Sequence, residues 1–336
     1  MKISCGSGAP LTVATETGYV DGPLTWSANG SQLAWWDGSE VTVASFGGRN
    51  GATTRRWACP TCTGAGFLGE RAVAVATPSV GYPPRTQLLE YPLSGSGPPA
   101  ARMVTGLPPA PADQSQVAYG ARMLGSLPTG GIVVELVAAN QLYTPAELFY
   151  RINSAGHATK YGTGRAGSGT LRGIGALAIN AAGTELAFTA DSGCPNYHHG
   201  DQGINVPSLL NPAAGTVTTP PTPAAGGGTF GYWVEGMWFD SSGTPHASLL
   251  KNLSDCASSG PLWPPGAAPA DCVLAGGRWV KTGSGVLQAQ YGPGRWVAET
   301  RGTPATGGPE AFPLTISDGS SVRATVSDVS VFAWAP

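Results

Sequence analysis

Leu24-Thr25-Trp26-Ser27-Ala28-Asn29-Gly30 runs into Gln32-Leu33-Ala34-Trp35-Trp36: an apolar strand, a turn that ends on glycine, and a second apolar strand. The phrase returns as Leu177-Ala178-Ile179-Asn180-Ala181-Ala182-Gly183 before Glu185-Leu186-Ala187-Phe188. It returns again as Gly236-Met237-Trp238-Phe239-Asp240-Ser241-Ser242-Gly243 before His246-Ala247-Ser248-Leu249-Leu250. A looser copy is Leu287-Gln288-Ala289-Gln290-Tyr291-Gly292-Pro293-Gly294 before Trp296-Val297-Ala298. Each reads as a β-hairpin, because small or polar residues closing on glycine supply the positive φ that a tight turn requires.

Aligned on the residue four before the turn glycine, Trp26, Ile179, Phe239 and about Gln290 lie 153, 60 and 51 residues apart. The first interval is three times 51, and two degraded copies fit inside it. They are Gly66-Phe67-Leu68-Gly69 before Arg71 to Val75, and Met123-Leu124-Gly125 before Ile132 to Leu136. Val329-Ser330-Val331-Phe332-Ala333-Trp334 then ends the chain at a point matching Trp26, which makes seven starts.

A period near 50 residues with no sustained helical periodicity points to propeller blades and away from shorter, often helical, solenoid repeats. The expected fold is all-β: a β-propeller of four-stranded antiparallel blades forming a single domain over 1–336. Seven blades are expected, with six as the alternative count. Further strands are expected at Val41–Ser45, Thr53–Trp57, Leu88–Tyr91, Leu148–Ile152 and Ala158–Tyr161. The stretch Leu11 to Thr17 is expected to complete the last blade beside the C-terminal strand, closing the ring and removing open sheet edges.

The turn Trp26-Ser27-Ala28-Asn29-Gly30 with Gln32-Leu33-Ala34 resembles the hairpin of TolB-like propellers, a relative of the WD-repeat type, whose usual turn is Trp-Ser-Pro-Asp-Gly. The Pro and Asp are replaced here by Ala28 and Asn29, Ala181 and Ala182, and Ser241 and Ser242. The resemblance implies a propeller of the kind found in extracellular sensor regions of actinobacterial membrane proteins. It implies no catalytic residues.

Composition narrows the function. Only 11% of residues are charged and the formal net charge is -2, so no basic face of the kind that neutralises phosphates is expected and nucleic acid is excluded as a partner. The 50 Gly and 30 Pro suit turns and disfavour helices. No segment has the roughly 20 apolar residues of a membrane span. A monomer at the cell envelope or outside the cell is expected, its signal or anchor absent from this chain. Six cysteines, at 5, 59, 62, 194, 256 and 272, favour an oxidising compartment by their even number. Cys59-Pro60-Thr61-Cys62 lies between strands, without the helix N-terminus that activates a thioredoxin-type thiol, and reads as a small structural disulfide. Cys256 and Cys272 flank one insertion and form a second candidate pair.

In an antiparallel meander, the turns between strands one and two and between three and four share one face of the disc. The long insertions, roughly 77–86, 94–118, 191–205, 218–233, 252–275 and 301–311, fall on the other, where binding usually resides. The candidate binding residues are Tyr197, His198, His199 and Asp201 in the richest loop, Trp233 and Glu235 ahead of the next inner strand, and Trp263 in the loop that follows. Adjacent histidines rarely chelate one ion and the spacing matches no zinc pattern, so neither metal nor cofactor is expected. No Gly-x-Ser-x-Gly elbow occurs, and no catalytic residue is assigned. The favoured reading is a non-catalytic binding or sensor propeller for a protein, peptide or glycan. The alternative is a propeller hydrolase or lyase acting on a glycan, using carboxylates such as Asp201 and Glu235.

Overall fold

The computed structural model describes residues 2–3, 11–12, 24–48, 51–77, 85–94, 97–107, 119–127, 129–138, 148–163, 174–191, 205–224, 231–252, 266–292, 294–304, 311–329 and 332–333. Every regular element among them is a strand. Blade 1 comprises β3 (Thr25–Trp26), β4 (Gln32–Trp36), β5 (Glu40–Gly48) and β6 (Gly51–Ala58). Blade 2 comprises β7 (Cys62–Leu68), β8 (Arg71–Ala76), β9 (Gln87–Glu90) and β10 (Ala100–Met103). Blade 3 comprises β11 (Tyr119–Ser126), β12 (Ile132–Ala138), β13 (Leu148–Ile152) and β14 (Ala158–Thr163). Blade 4 comprises β15 (Ile174–Ile179), β16 (Leu186–Asp191), β17 (Asn205–Asn211) and β18 (Thr216–Thr218). Blade 5 comprises β19 (Gly231–Phe239), β20 (Pro245–Asn252), β21 (Ala270–Ala275) and β22 (Arg278–Ser284). Blade 6 comprises β23 (Val286–Tyr291), β24 (Val297–Arg301), β25 (Phe312–Ser317) and β26 (Val322–Val329). Each is an antiparallel meander in chain order, the blade of a β-propeller.

The described residues thus form six four-stranded blades, not seven. Val329 closes the fourth strand of blade 6, pairing with Phe312, and does not open a new blade. Leu11–Thr12 (β2) pairs with Lys2–Ile3 (β1) and not with the C-terminal strand. Phe332 and Ala333 follow β26, and the Trp26 indole N–H donates to the Ala333 carbonyl at 3.3 Å.

The chain divides into two compact units. Residues 1–143, 148–161 and 331–336 form one, with blades 1 to 3; residues 144–147 and 162–330 form the other, with blades 4 to 6. Within the first unit, β7 lies against β4 and β11; within the second, β19 lies against β15 and β23. The first strand of each blade is therefore its inner strand. Apolar side chains fill the spaces between blades. Ala34, Val41 and Val43 meet Phe67, Ala72 and Ala74 between blades 1 and 2. Val73 and Val75 meet Met123, Ile132 and Val134 between blades 2 and 3. Ala187 and Leu209 meet Val234, Met237 and Trp279 between blades 4 and 5.

The hairpins match their sequence signal, with Gly30, Gly183, Gly243 and Gly294 all at φ between 67° and 82°. A second determinant stands three residues before the glycine. The carbonyls of Asn153, Asn180 and Asp240 accept from the N–H groups of Gly156, Gly183 and Gly243 at 2.9–3.0 Å. Their side-chain oxygens accept further N–H groups of the same turns, as short polar side chains do when they stabilise a turn.

Neighbouring blades are also latched by polar side chains that read main chain. The Thr63 hydroxyl donates to the Ala121 carbonyl at 2.7 Å and accepts from Met123 N–H. In blade 5, Ser248 and Asp271 are register partners. The Ser248 hydroxyl donates to the Val286 carbonyl at 2.7 Å, and Asp271 Oδ1 accepts from Val286 N–H at 2.9 Å. Burial pushes the Asp271 carboxyl above its usual range, opposed by that hydrogen bond.

Cys59 and Cys62 form the expected disulfide. It is buried at the turn from β6 to β7, where the Cys59 carbonyl accepts from the Trp36 indole and the Tyr91 hydroxyl lies 3.7 Å from Cys62 Sγ. Closing so short a loop is worth about 2 kcal/mol in the chain-entropy model. The double variant Cys59→Ala/Cys62→Ala should lose about that much in urea unfolding with its strand content unchanged; an unaltered midpoint would contradict this.

Candidate functional site

Each blade sends its one-to-two and three-to-four connections to one end and the other connections to the opposite end. The one-to-two connections are short, as at 69–70, 180–185 and 240–244. The two-to-three connections lengthen to 77–86, 139–147, 192–204, 253–269 and 302–311 in blades 2 to 6. Three expected insertions shrink: 94–118 contains β10, 218–233 ends in β19, which starts at Gly231, and 252–275 ends in β21, which starts at Ala270. β10 is a four-residue, fully exposed strand without the apolar alternation of a buried one, and β21 directly follows the Pro-rich stretch of its insertion.

At this loop-bearing end, blade 5 presents the start of β19. The chain leading to it is anchored by Trp279, which is 2% exposed. Its backbone N–H donates to the Pro221 carbonyl and its indole N–H to the Pro207 carbonyl. Along β19, Tyr232 and Val234 are buried while Gly231, Trp233 and Glu235 are half-exposed; beyond Glu235 every residue to Phe239 is buried. Trp233 and Glu235 therefore lie within the inner strand and not ahead of it. The change falls at a β-bulge between Val234 and Gly236, where the pairing with β20 slips. Bulges re-aim side chains next to functional sites. The result is a half-exposed indole two residues from a half-exposed carboxylate on one strand.

Tyr197, His198, His199, Asp201 and Trp263 lie outside the described residues, as do Cys5, Cys194 and Cys256. Cys272 is a free, fully buried thiol on β21. Burial, with the neighbouring Asp271 carboxylate, pushes it up to about 11. Among the described residues, no three His, Cys, Asp or Glu side chains are placed to hold a metal ion, and no helix is long and apolar enough to cross a membrane.

Bulges recur at the same level of the inner strands: between Cys62 and Ala65, Met123 and Gly125, Ile174 and Leu177, and Val286 and Gln288. In blade 3, the pair one step toward the loop-bearing end is Arg122 with Glu135, a position that sequence reading passed over. Arg122 Nε and Nη2 donate to the same Glu135 oxygen, Oε2, at 3.0 and 2.7 Å. The Glu135 side chain is 1% exposed and that of Arg122 is 41% exposed. Burial holds the Glu135 carboxyl above its ordinary range while Arg122 pulls the other way.

No protein-family model and no curated sequence matches the chain. Solved structures similar to it include the β-propeller domain of Cps50 (Swd1) from Myceliophteria thermophila. That domain is 11% identical, with 87% of this chain and 83% of that one covered and a TM-score of 0.49. YCF48, solved bound to D1 peptide, is 14% identical over 92% and 81% of the two chains at a TM-score of 0.48. An ulvan lyase of polysaccharide lyase family PL25 is 9% identical over 93% and 85% at 0.45. These neighbours have unlike functions, and likeness at this level assigns none of them to this chain.

Proposed function

We propose that this chain is a non-catalytic binding or sensor propeller, of the TolB-like kind, that engages a protein, peptide or glycan through the loop-bearing ends of its blades. The observation that carries this reading is the half-exposed Trp233–Glu235 pair at the β19 bulge, beyond which the strand is buried as far as Phe239. The connections 192–204 and 253–269 supply the rest of the surface, with Tyr197, His198, His199, Asp201 and Trp263. The Cys59–Cys62 disulfide suits an oxidising, extracellular or envelope setting, and the protein acts as a monomer.

Glycan-array and peptide-array capture by the purified chain tests the proposal. Trp233→Ala should weaken capture by about tenfold or more, the effect of truncating a central aromatic anchor, with thermal stability little changed. Undiminished capture by Trp233→Ala and Glu235→Ala together would remove these residues from the site. Turnover of a glycan that disappears in Glu235→Ala or Asp201→Ala would replace the binding reading with a hydrolase or lyase.

A further inference from the structure

The register of blade 5 fixes which way Trp233 points. Trp233 lies opposite Leu250 on β20, and Leu250 shares a face of that strand with Ser248. Because the Ser248 hydroxyl donates to the Val286 carbonyl of blade 6, this face is the one turned toward blade 6. Tyr232 and Val234, of opposite parity, pack instead with Ala187 and Leu209 of blade 4. Trp233 therefore stands at the loop-bearing mouth of the seam between blades 5 and 6. In the row beneath it lie Ser248 and its register partner Asp271, the two side chains that hold Val286.

This latch has one titratable member. Asp271 is half-buried; its Oδ1 accepts from Val286 N–H at 2.9 Å, and a Cβ built on its register partner Gly283 would stand 2.9 Å from Oδ2. The cation with the largest pull on it, Arg301 of β24, is instead bonded to the Glu299 carboxylate at 2.8 Å and the Ser284 carbonyl at 3.4 Å. Lys281 of β22 also attracts, while Glu299 repels. On the other strands of the seam, β20 presents His246, which is turned to Asp240 at 3.4 Å, β19 carries Glu235 at its bulge, and β23 carries only Tyr291, at its far end. Burial outweighs the hydrogen bond and the attracting charges, so the carboxyl sits above its ordinary range.

We propose that this seam responds to pH: deprotonation of Asp271 loosens the hold of blade 5 on Val286, and with it the footing of Trp233, so that ligand capture is tighter in acid than at neutral pH. Ionisation strengthens the one bond from Val286 N–H but leaves a carboxylate short of water, and that cost is the larger. A closed seam thus holds the proton more tightly than an opened, hydrated one. Closure is favoured below the ordinary carboxyl range and weakens as pH rises through the raised value. The consequence for capture rests on the proposed role of Trp233; the loosening of the seam does not.

Amide hydrogen exchange of the intact chain, followed by NMR between about pH 4 and 7 and corrected for the intrinsic rate, tests the seam without a ligand. Protection of Val286 should fall about threefold or more as pH rises. It should stay level in Asp271→Asn, whose amide oxygen keeps the Val286 bond and carries no charge. Met123, whose N–H is held by the Thr63 hydroxyl, is the internal control and should show no such trend. Val286 protection that is flat or rises with pH, or that falls equally in Asp271→Asn, would overturn the proposal. Glycan-array and peptide-array capture should be stronger at the acid end for the native chain and alike at both ends for Asp271→Asn. The expected exchange with capture indifferent to pH would overturn the link to binding. Absence of capture at either pH would count against the Trp233 site and leave the exchange result to decide the seam.

Discussion

Gly236→Ala should destabilise the protein by about 3 kcal/mol, at the upper end of the range for overpacking, although it adds a single methyl group. A Cβ built on Gly236 would stand 2.4 Å from the Leu287 carbonyl oxygen of the neighbouring blade. That obstacle is main chain on an inner strand and cannot rotate aside. Gly243→Ala is the control. It sits in a turn at φ +82° with nothing within 4 Å of the added carbon, so only local backbone strain of about 1–2 kcal/mol applies. Denaturant unfolding of both variants should show the larger loss at Gly236, where the glycine does not need a left-handed backbone. Equal losses would mean that β23 moves away at little cost and that the blades are less rigidly joined than their hydrogen bonds imply.

Arg122→Ala should cost about 2–3 kcal/mol at neutral pH. This is below the usual range for breaking a buried pair because half-exposed Arg122 is screened by solvent. The loss comes from Glu135, which would remain buried without its fork of donors. Replacing both residues, as in Arg122→Met/Glu135→Leu, should return most of the stability. The pH dependence has a definite sign. Burial raises the folded-state pKa of Glu135, and losing Arg122 removes an opposing influence. Folding then favours the protonated acid, so the variant is least impaired below the unfolded carboxyl pKa, and its deficit grows as pH rises through the raised folded value. A deficit that shrinks with rising pH, or a double variant no better than Arg122→Ala, would show that Glu135 does not carry the effect.

The hairpins were legible because their determinants are local. Trp26 to Gly30 and Phe239 to Gly243 contain both the apolar strand and the turn residues. Blade count was less so. Val329 to Trp334 has the apolar character of an inner strand, but Val329 belongs to β26. A repeat period cannot tell the end of one blade from the start of another. Trp233 and Glu235 were identifiable as residue types, yet how far the exposed alternation of β19 runs depends on where its pairing with β20 slips, which no short window contains. Arg122 and Glu135 lie 13 residues apart and meet only through the β11–β12 register. The available signal was Glu135 itself: a carboxylate inside the apolar run Ile132 to Leu136 requires a partner to be buried at all.

The joint between blades 5 and 6 holds both main-chain polar groups of Val286, its N–H and its carbonyl, and makes no demand on the valine side chain beyond its fit among Trp238 and Ala289. A joint of this kind is blind to residue identity. Substitutions along β23 can accumulate without loosening it, provided that Ser248, Asp271 and Gly236 persist on the facing blade. Natural variation is then expected to be unequal across the seam, constrained on the side that holds and permissive on the side that is held. The same asymmetry would let a blade be copied or exchanged while the latch stays in place, because the incoming strand need only offer a backbone.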